Sequence, residues 1–240
     1  MKTGLKTLGS HLRLDLNMGK QPLFVLTLLI YLSYWVVILT GDAKYPQPVV
    51  YFAEMGMFPI VIMLTVLLFA REIGGGGMEV IATYPVSLRL MAVRKWVLAL
   101  VLSALAGMGW MAVYRIKFGA IVTDMHSWSG GEAAFRKTGG LALLLQTLPA
   151  YMLLASVAVL GIVWFQKLYG GMALSFALWV LDTMSAGSIL GGKTLYTAYL
   201  PEDSSFLLNR FILGAFAVLI LLVALGLIGV RERWIGRDEE

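Results

Sequence analysis

The chain has 240 residues, of which 59% are hydrophobic and only 14% charged, with a net charge of +5 and no cysteine. Ordinary soluble domains carry about 25% charged residues, so one soluble core cannot hide this much apolar side chain and the solvent for most of it is lipid. The missing cysteines exclude disulfides, thiolate metal sites and thiol catalysis, and no basic face interleaved with stacking aromatics marks a nucleic-acid partner.

The first 22 residues read as an amphipathic helix. At about 100° per residue, Leu5, Leu8, Leu12 and Leu16 share a narrow arc, and Lys2, Lys6, Arg13 and Lys20 form a stripe beside it. Such a helix lies on the membrane surface, apolar side in the lipid and basic side among headgroups. No small-residue cleavage site follows the first apolar run, which reads as a retained anchor.

Six runs approach the ~20 apolar residues that a helix needs to cross a bilayer: 23–40, 49–70, 96–114, 141–165, 172–190 and 211–230. They predict an all-α membrane domain over 23–230, followed by a short tail over 231–240. Pro59 and Pro149 lie inside the second and fourth runs and predict kinks. Two carboxylates also lie inside runs, Glu54 in the second and Asp182 in the fifth. An acid at mid-bilayer costs about 2.5–3.5 kcal/mol on insertion scales, so such groups face a bundle interior or a wet cavity. They are candidates for lining a translocation path. The structural alternative is a hydrogen bond to a neighbouring helix or an ion pair with Arg115 or Lys117.

Between the second and third runs lies REIGGGGMEVIATYPVSLRLMAVRKWV, residues 71–97. Four glycines at 74–77 permit a sharp backbone path. MEVIATY predicts a short amphipathic helix, ended by Tyr84 because a residue before proline avoids helical geometry. Ser87 is placed to cap the next helix, and Lys95 to anchor its end at the headgroups.

Glu72, Gly76, Glu79, Ile81, Ala82, Pro85, Ser87 and Lys95 stand at the spacings of a pattern E…G-T-x-E-x-L-L-x-x-P-x-S followed by G-K. In this stretch the chain resembles the permease subunits of type-2 ABC exporters. It departs from them at Gly77, where the family usually has Thr, and at Arg94, where it usually has Gly. The resemblance implies a coupling helix near 78–84 that docks into a groove on a separate ABC ATPase subunit. Glu72, Gly76, Met78, Glu79, Val80, Ile81, Tyr84, Pro85 and Ser87 would form that contact. It also implies that ATP and magnesium belong to the ATPase, with no cofactor and no catalytic residue on this chain. The amino-terminal helix would be the family's elbow helix, and a second permease copy, identical or related, would complete a central path.

The loop 123–140 is read as external, either shielding an exit or only connecting, with Trp128 suited to the interface. GSILGGKT, residues 187–194, fits the phosphate-binding pattern G-x-x-x-x-G-K-[ST] letter for letter. A working phosphate loop needs a strand before it and a helix after it. Here a hydrophobic run precedes it, so it reads as a glycine-rich turn at a membrane helix end. His11 and His126 lie far apart without clustered partners and predict no metal site.

Lys and Arg favour the cytoplasmic side. With the amino terminus inside, twelve fall on inner segments and seven on outer ones, which predicts both termini in the cytoplasm. Together these readings predict an ATP-driven exporter subunit in the plasma membrane, moving an amphipathic peptide, drug or lipid. The alternatives are an ion-coupled secondary transporter using Glu54 and Asp182, or a non-transporting sensor or immunity subunit on the same scaffold.

Overall fold

A computed structural model describes residues 21–42, 44–74, 77–128, 134–201 and 204–235. The predicted amphipathic helix therefore lies outside the described residues apart from its last two positions, as do Gly76 and residues 236–240.

Five helices are long and apolar enough to cross a membrane: α1 (Pro22–Thr40), α2 with its lead-in turn (Tyr51–Gly74), α4 (Leu88–Phe118), α5 (Gly140–Phe165) and α7 (Phe206–Ile228). Between α2 and α4 sits the short α3 (Gly77–Thr83), and between α5 and α7 the apolar but 17-residue α6 (Leu168–Met184). The chain is a predominantly helical, membrane-embedded protein.

Three boundaries differ from the sequence reading by five residues or more. Helix α4 starts at Leu88, eight positions before 96, because Ser87 accepts a hydrogen bond from the Leu90 amide at 3.3 Å and caps it there. Helix α6 stops at Met184 and not near 190: Ala186 (φ 46°) and Gly187 (φ 76°) adopt left-handed conformations that end it. Helix α7 starts at Phe206, where Ser205 accepts from the Leu208 amide.

The described part of the loop over 123–140 contains a hairpin. Strand β1 (Ile121–Met125) pairs antiparallel with β2 (Ala134–Thr138), Ile121 opposite Thr138 and Met125 opposite Ala134. Ile121 and Met125 are buried against the bundle, while β2 is mostly exposed.

Helix α2 is the axis of the bundle, wrapped by α1, α4, α5 and α6, and almost every side chain from Met57 to Phe69 is buried. It begins as a π-helical turn, Tyr51–Gly56, directly before Pro59. The proline ring crowds the carbonyl four residues back, and the wider turn relieves that clash. Two other carbonyls of this turn take side-chain donors from neighbouring helices, which buried carbonyls in an apolar bundle need. The Tyr151 hydroxyl of α5 donates to the Ala53 carbonyl at 2.6 Å, and the Tyr34 hydroxyl of α1 to that of Gly56 at 3.2 Å.

Helices α5 and α6 form a tight hairpin. Gln166 turns the chain with φ 54°, and the backbones then meet at three glycines: a Cβ on Gly161 would lie 2.5 Å from the Gly170 carbonyl oxygen. By contrast α1 and the outer faces of α4 and α7 expose leucines, valines and phenylalanines, as lipid-facing helices do.

The bundle has two ends. At one lie the hairpin and residues 185–201, and there Gln146 Nε2 of α5 donates to the His126 carbonyl just after β1 at 2.7 Å. At the other lie α3, the α5–α6 turn and the end of α7. Leu23 and Trp234 both pack into the apolar cluster of that second end. The first and last described helices thus start and finish on the same side of the bundle.

Candidate functional site

The sequence pattern spanning 72–95 folds into one compact unit at the second end. Met78 and Ala82, four apart on α3, turn inward onto Phe69, Leu88 and Ala92, and Ile81 is partly buried beside them. The helix ends where Tyr84-Pro85 was expected to end it: the Tyr84 amide still reaches the Ile81 carbonyl, and the Val86 amide folds back onto Tyr84 at 2.8 Å.

The outward side of this unit carries Glu79, Val80, Tyr84, Pro85 and Ser87, all exposed. Val80 and Tyr84 are each 59% exposed and Leu90, one turn into α4, is 69% exposed. Exposed apolar side chains thus stand beside the Glu79 carboxylate on this side of the unit.

Glu72 is not part of that surface. Its carboxylate lies 2.8 Å from the Lys95 ammonium, and Lys95, 1% exposed, also donates to the Leu68 carbonyl and sits over the Phe69 ring. This corrects the expected headgroup anchor. Because α4 begins two turns earlier than hydropathy suggests, Lys95 is carried into the bundle, where its charge needs a partner.

A residue the sequence reading passed over holds the unit in place. Arg231, just beyond α7, donates through Nη1 to the Ala82 and Tyr84 carbonyls at 2.9 and 2.7 Å, and through Nη2 to that of Val86 at 2.8 Å. The Ala82 carbonyl is in the last turn of α3, where intrahelical donors run out, and those of Tyr84 and Val86 lie in the turn beyond it. Three bonds from one planar guanidinium make a fixed clamp.

The two acids of the predicted second and fifth runs lie at the first end. Glu54, in the π turn, accepts from the Thr197 amide on both oxygens (3.1 and 3.0 Å) and from the Thr197 hydroxyl at 2.7 Å. Asp182, near the end of α6, accepts on Oδ2 from the Thr194 hydroxyl at 3.0 Å and the Leu195 amide at 2.7 Å. Both acids are almost fully buried and both grip the segment 194–197. Their cation is neither Arg115 nor Lys117, whose ammonium instead caps the Leu39 carbonyl at 2.9 Å. The cation whose charge acts on both is Arg210 of α7, 2% exposed, which makes no direct ion pair with either acid: Nη1 donates to the Leu195 carbonyl at 3.2 Å, and Nε and Nη2 are buried without a partner.

The phosphate-loop pattern is absorbed into this clamp. Helix α6, not a strand, precedes 187–194; Gly191–Lys193 is a 3-10 turn; and the Thr194 hydroxyl is committed to Asp182. Asn209 further ties the Gly192 and Thr194 carbonyls to α7 at 2.9 and 3.1 Å.

Two titratable groups flank the clamp outside the spans. His126 stacks on Phe206 at 4.7 Å, and burial, with Arg210 nearby, holds its imidazole below the ordinary value. The Tyr196 hydroxyl, hydrogen-bonded to Trp179 and Thr183, is pushed by burial up to about 12. Among the described residues no three His, Asp or Glu side chains converge as a metal site. No protein-family model, no curated protein and no solved structure matches the chain.

Proposed function

We propose that the chain is the membrane-spanning subunit of an ATP-driven exporter in the plasma membrane, with six traverses and both termini in the cytoplasm. Two copies, identical or related, form a central path, and a separate ATPase subunit docks on α3 of each. The ATPases hold ATP and magnesium. Their closure draws the two α3 helices together and tilts the helices behind them, a two-state change biased by nucleotide. The apolar helices suit an amphipathic cargo.

The observation that carries this reading is the architecture of α3. It is a seven-residue helix between two long apolar helices, anchored inward by Met78 and Ala82, clamped by Arg231, and showing Glu79, Val80 and Tyr84 outward. A rigid, exposed, partly apolar knob of this kind suits a groove on a protein partner.

The test is co-purification with the ATPase encoded beside this chain, then ATPase and transport assays with and without Glu79→Lys. Glu79 is exposed, so the variant keeps the wild-type melting temperature, and coupled activity falls at least about tenfold, a loss of some 1.4 kcal/mol in coupling. Equal assembly and equal activity would sink the reading. Transport by the chain alone in proteoliposomes would replace it with an ion-coupled carrier using Glu54 and Asp182.

A further inference from the structure

Glu54, Asp182 and Arg210 come from three different helices and are 1%, 0% and 2% exposed. With both acids ionised the trio carries a net charge of −1. The other titratable groups facing it do not balance that charge. Tyr151 of α5 and Tyr196 both lie beside Glu54 as neutral hydroxyls. His126 lies across the Phe206 ring, next to Arg210 and Asp124. An uncompensated charge in an apolar interior is expensive enough that such a group takes up a counter-charge or loses its own.

The hydrogen bonds show where that counter-charge belongs. Both Glu54 oxygens are occupied by Thr197 donors, which favours the carboxylate there. Asp182 is lopsided: Oδ2 takes two donors, while Oδ1, fully buried, has none. Asn209, which grips the same Thr194, likewise has a buried Oδ1 without a donor. Arg210 Nε and Nη2 are buried without an acceptor as well, so the cluster holds unpaired donors beside its two unpaired acceptors, and it is the net charge of −1 that calls for a proton, the free Oδ1 marking where on Asp182 it can sit. With no third carboxylate or imidazole to complete a cage among the described residues, a metal ion does not fit.

We propose that this cluster is a proton-binding site: one exchangeable proton, drawn from water, rides on Asp182 Oδ1, leaving Glu54 ionised with Arg210 and the trio neutral. The protonation forms one O–H bond and breaks none in the protein. Because the same carboxylates hold Thr194, Leu195 and Thr197, the proton is bound and released at the clamp that seats the segment between α6 and α7. The inference does not depend on the exporter reading.

The experiment is infrared difference spectroscopy of the full chain in lipid nanodiscs through a pH titration. A protonated-carboxyl carbonyl band is expected at neutral pH. It shifts when aspartate carries 13C at its side-chain carboxyl, stays put with labelled glutamate, and vanishes in Asp182→Asn. In Glu54→Gln the competing negative charge is gone, so the band titrates at a pH lower by about one unit or more. Should Asp182→Asn not fold, the labelled wild-type chain decides alone. A band that follows labelled glutamate, no carboxyl band at neutral pH, or a titration that moves when sodium replaces choline in the buffer would each overturn the proposal.

Discussion

Arg231 and Tyr84 stand 147 positions apart in the chain, yet the guanidinium of one donates to the main-chain carbonyl of the other at 2.7 Å. The contact ties the end of the last long helix to the turn behind α3. Whatever pushes on α3 therefore pushes on α7 as well as on α2 and α4, to which α3 is joined in sequence.

Replacing Arg231 by Gln removes the three-way clamp while leaving α3 packed through Met78 and Ala82. Charge-assisted bonds contribute about 1.5–3 kcal/mol when buried, and these are partly exposed, so a loss of about 1–2 kcal/mol is expected. Faster amide exchange confined to residues 82–87 is the direct readout. If exchange there is unchanged, the clamp does not hold the turn.

The Glu72–Lys95 pair gives a sharper prediction. Removing one member of a buried pair strands the other charge and costs about 3–5 kcal/mol, whereas replacing both by apolar groups is often neutral. Glu72→Leu should therefore destabilise the chain strongly, since it takes the carboxylate away from the more deeply buried Lys95 ammonium. The double variant Glu72→Leu/Lys95→Met should recover most of the loss. Unfolding midpoints in mild detergent check this, and a double variant as unstable as Glu72→Leu would count against the pair's burial.

His126 sets a pH dependence whose sign follows from its environment. Burial, and then the charge of Arg210, hold its folded value below about 6.5, against a backbone bond involving Thr197 and the charge of Asp124. Between the two values the unfolded chain binds more protons than the folded one. Stability is therefore full above about pH 6.5, declines as pH falls below it, and levels off once the folded imidazole also protonates. Melting temperatures from pH 8 to pH 5 should show this decline, and His126→Gln should flatten it.

What could be read from the sequence was what is local. The five long helices follow from apolar runs. The α3 stop at Tyr84-Pro85 and the Ser87 cap follow from backbone chemistry within three or four residues. Lys95 was misplaced because Arg89, Arg94 and Lys95 depress hydropathy where the helix has already begun, and hydropathy does not see caps. The hairpin was missed because Thr, Asp, Arg and Lys dilute its five-residue strands, and its register depends on pairing across a loop. Arg210 and Arg231 were counted only as loop charges. Their partners lie 15 residues or more away in sequence, and nothing in the spacing announces them.

The glycine contact between α5 and α6 has a mechanical consequence. At Gly161 main chain rests on main chain, so little side chain lies between the two rods there to yield under load. Gly161, Gly170 and Gly171 thus weld this pair into one stiff strut, and any rocking of the protein must pivot on the side-chain seams elsewhere.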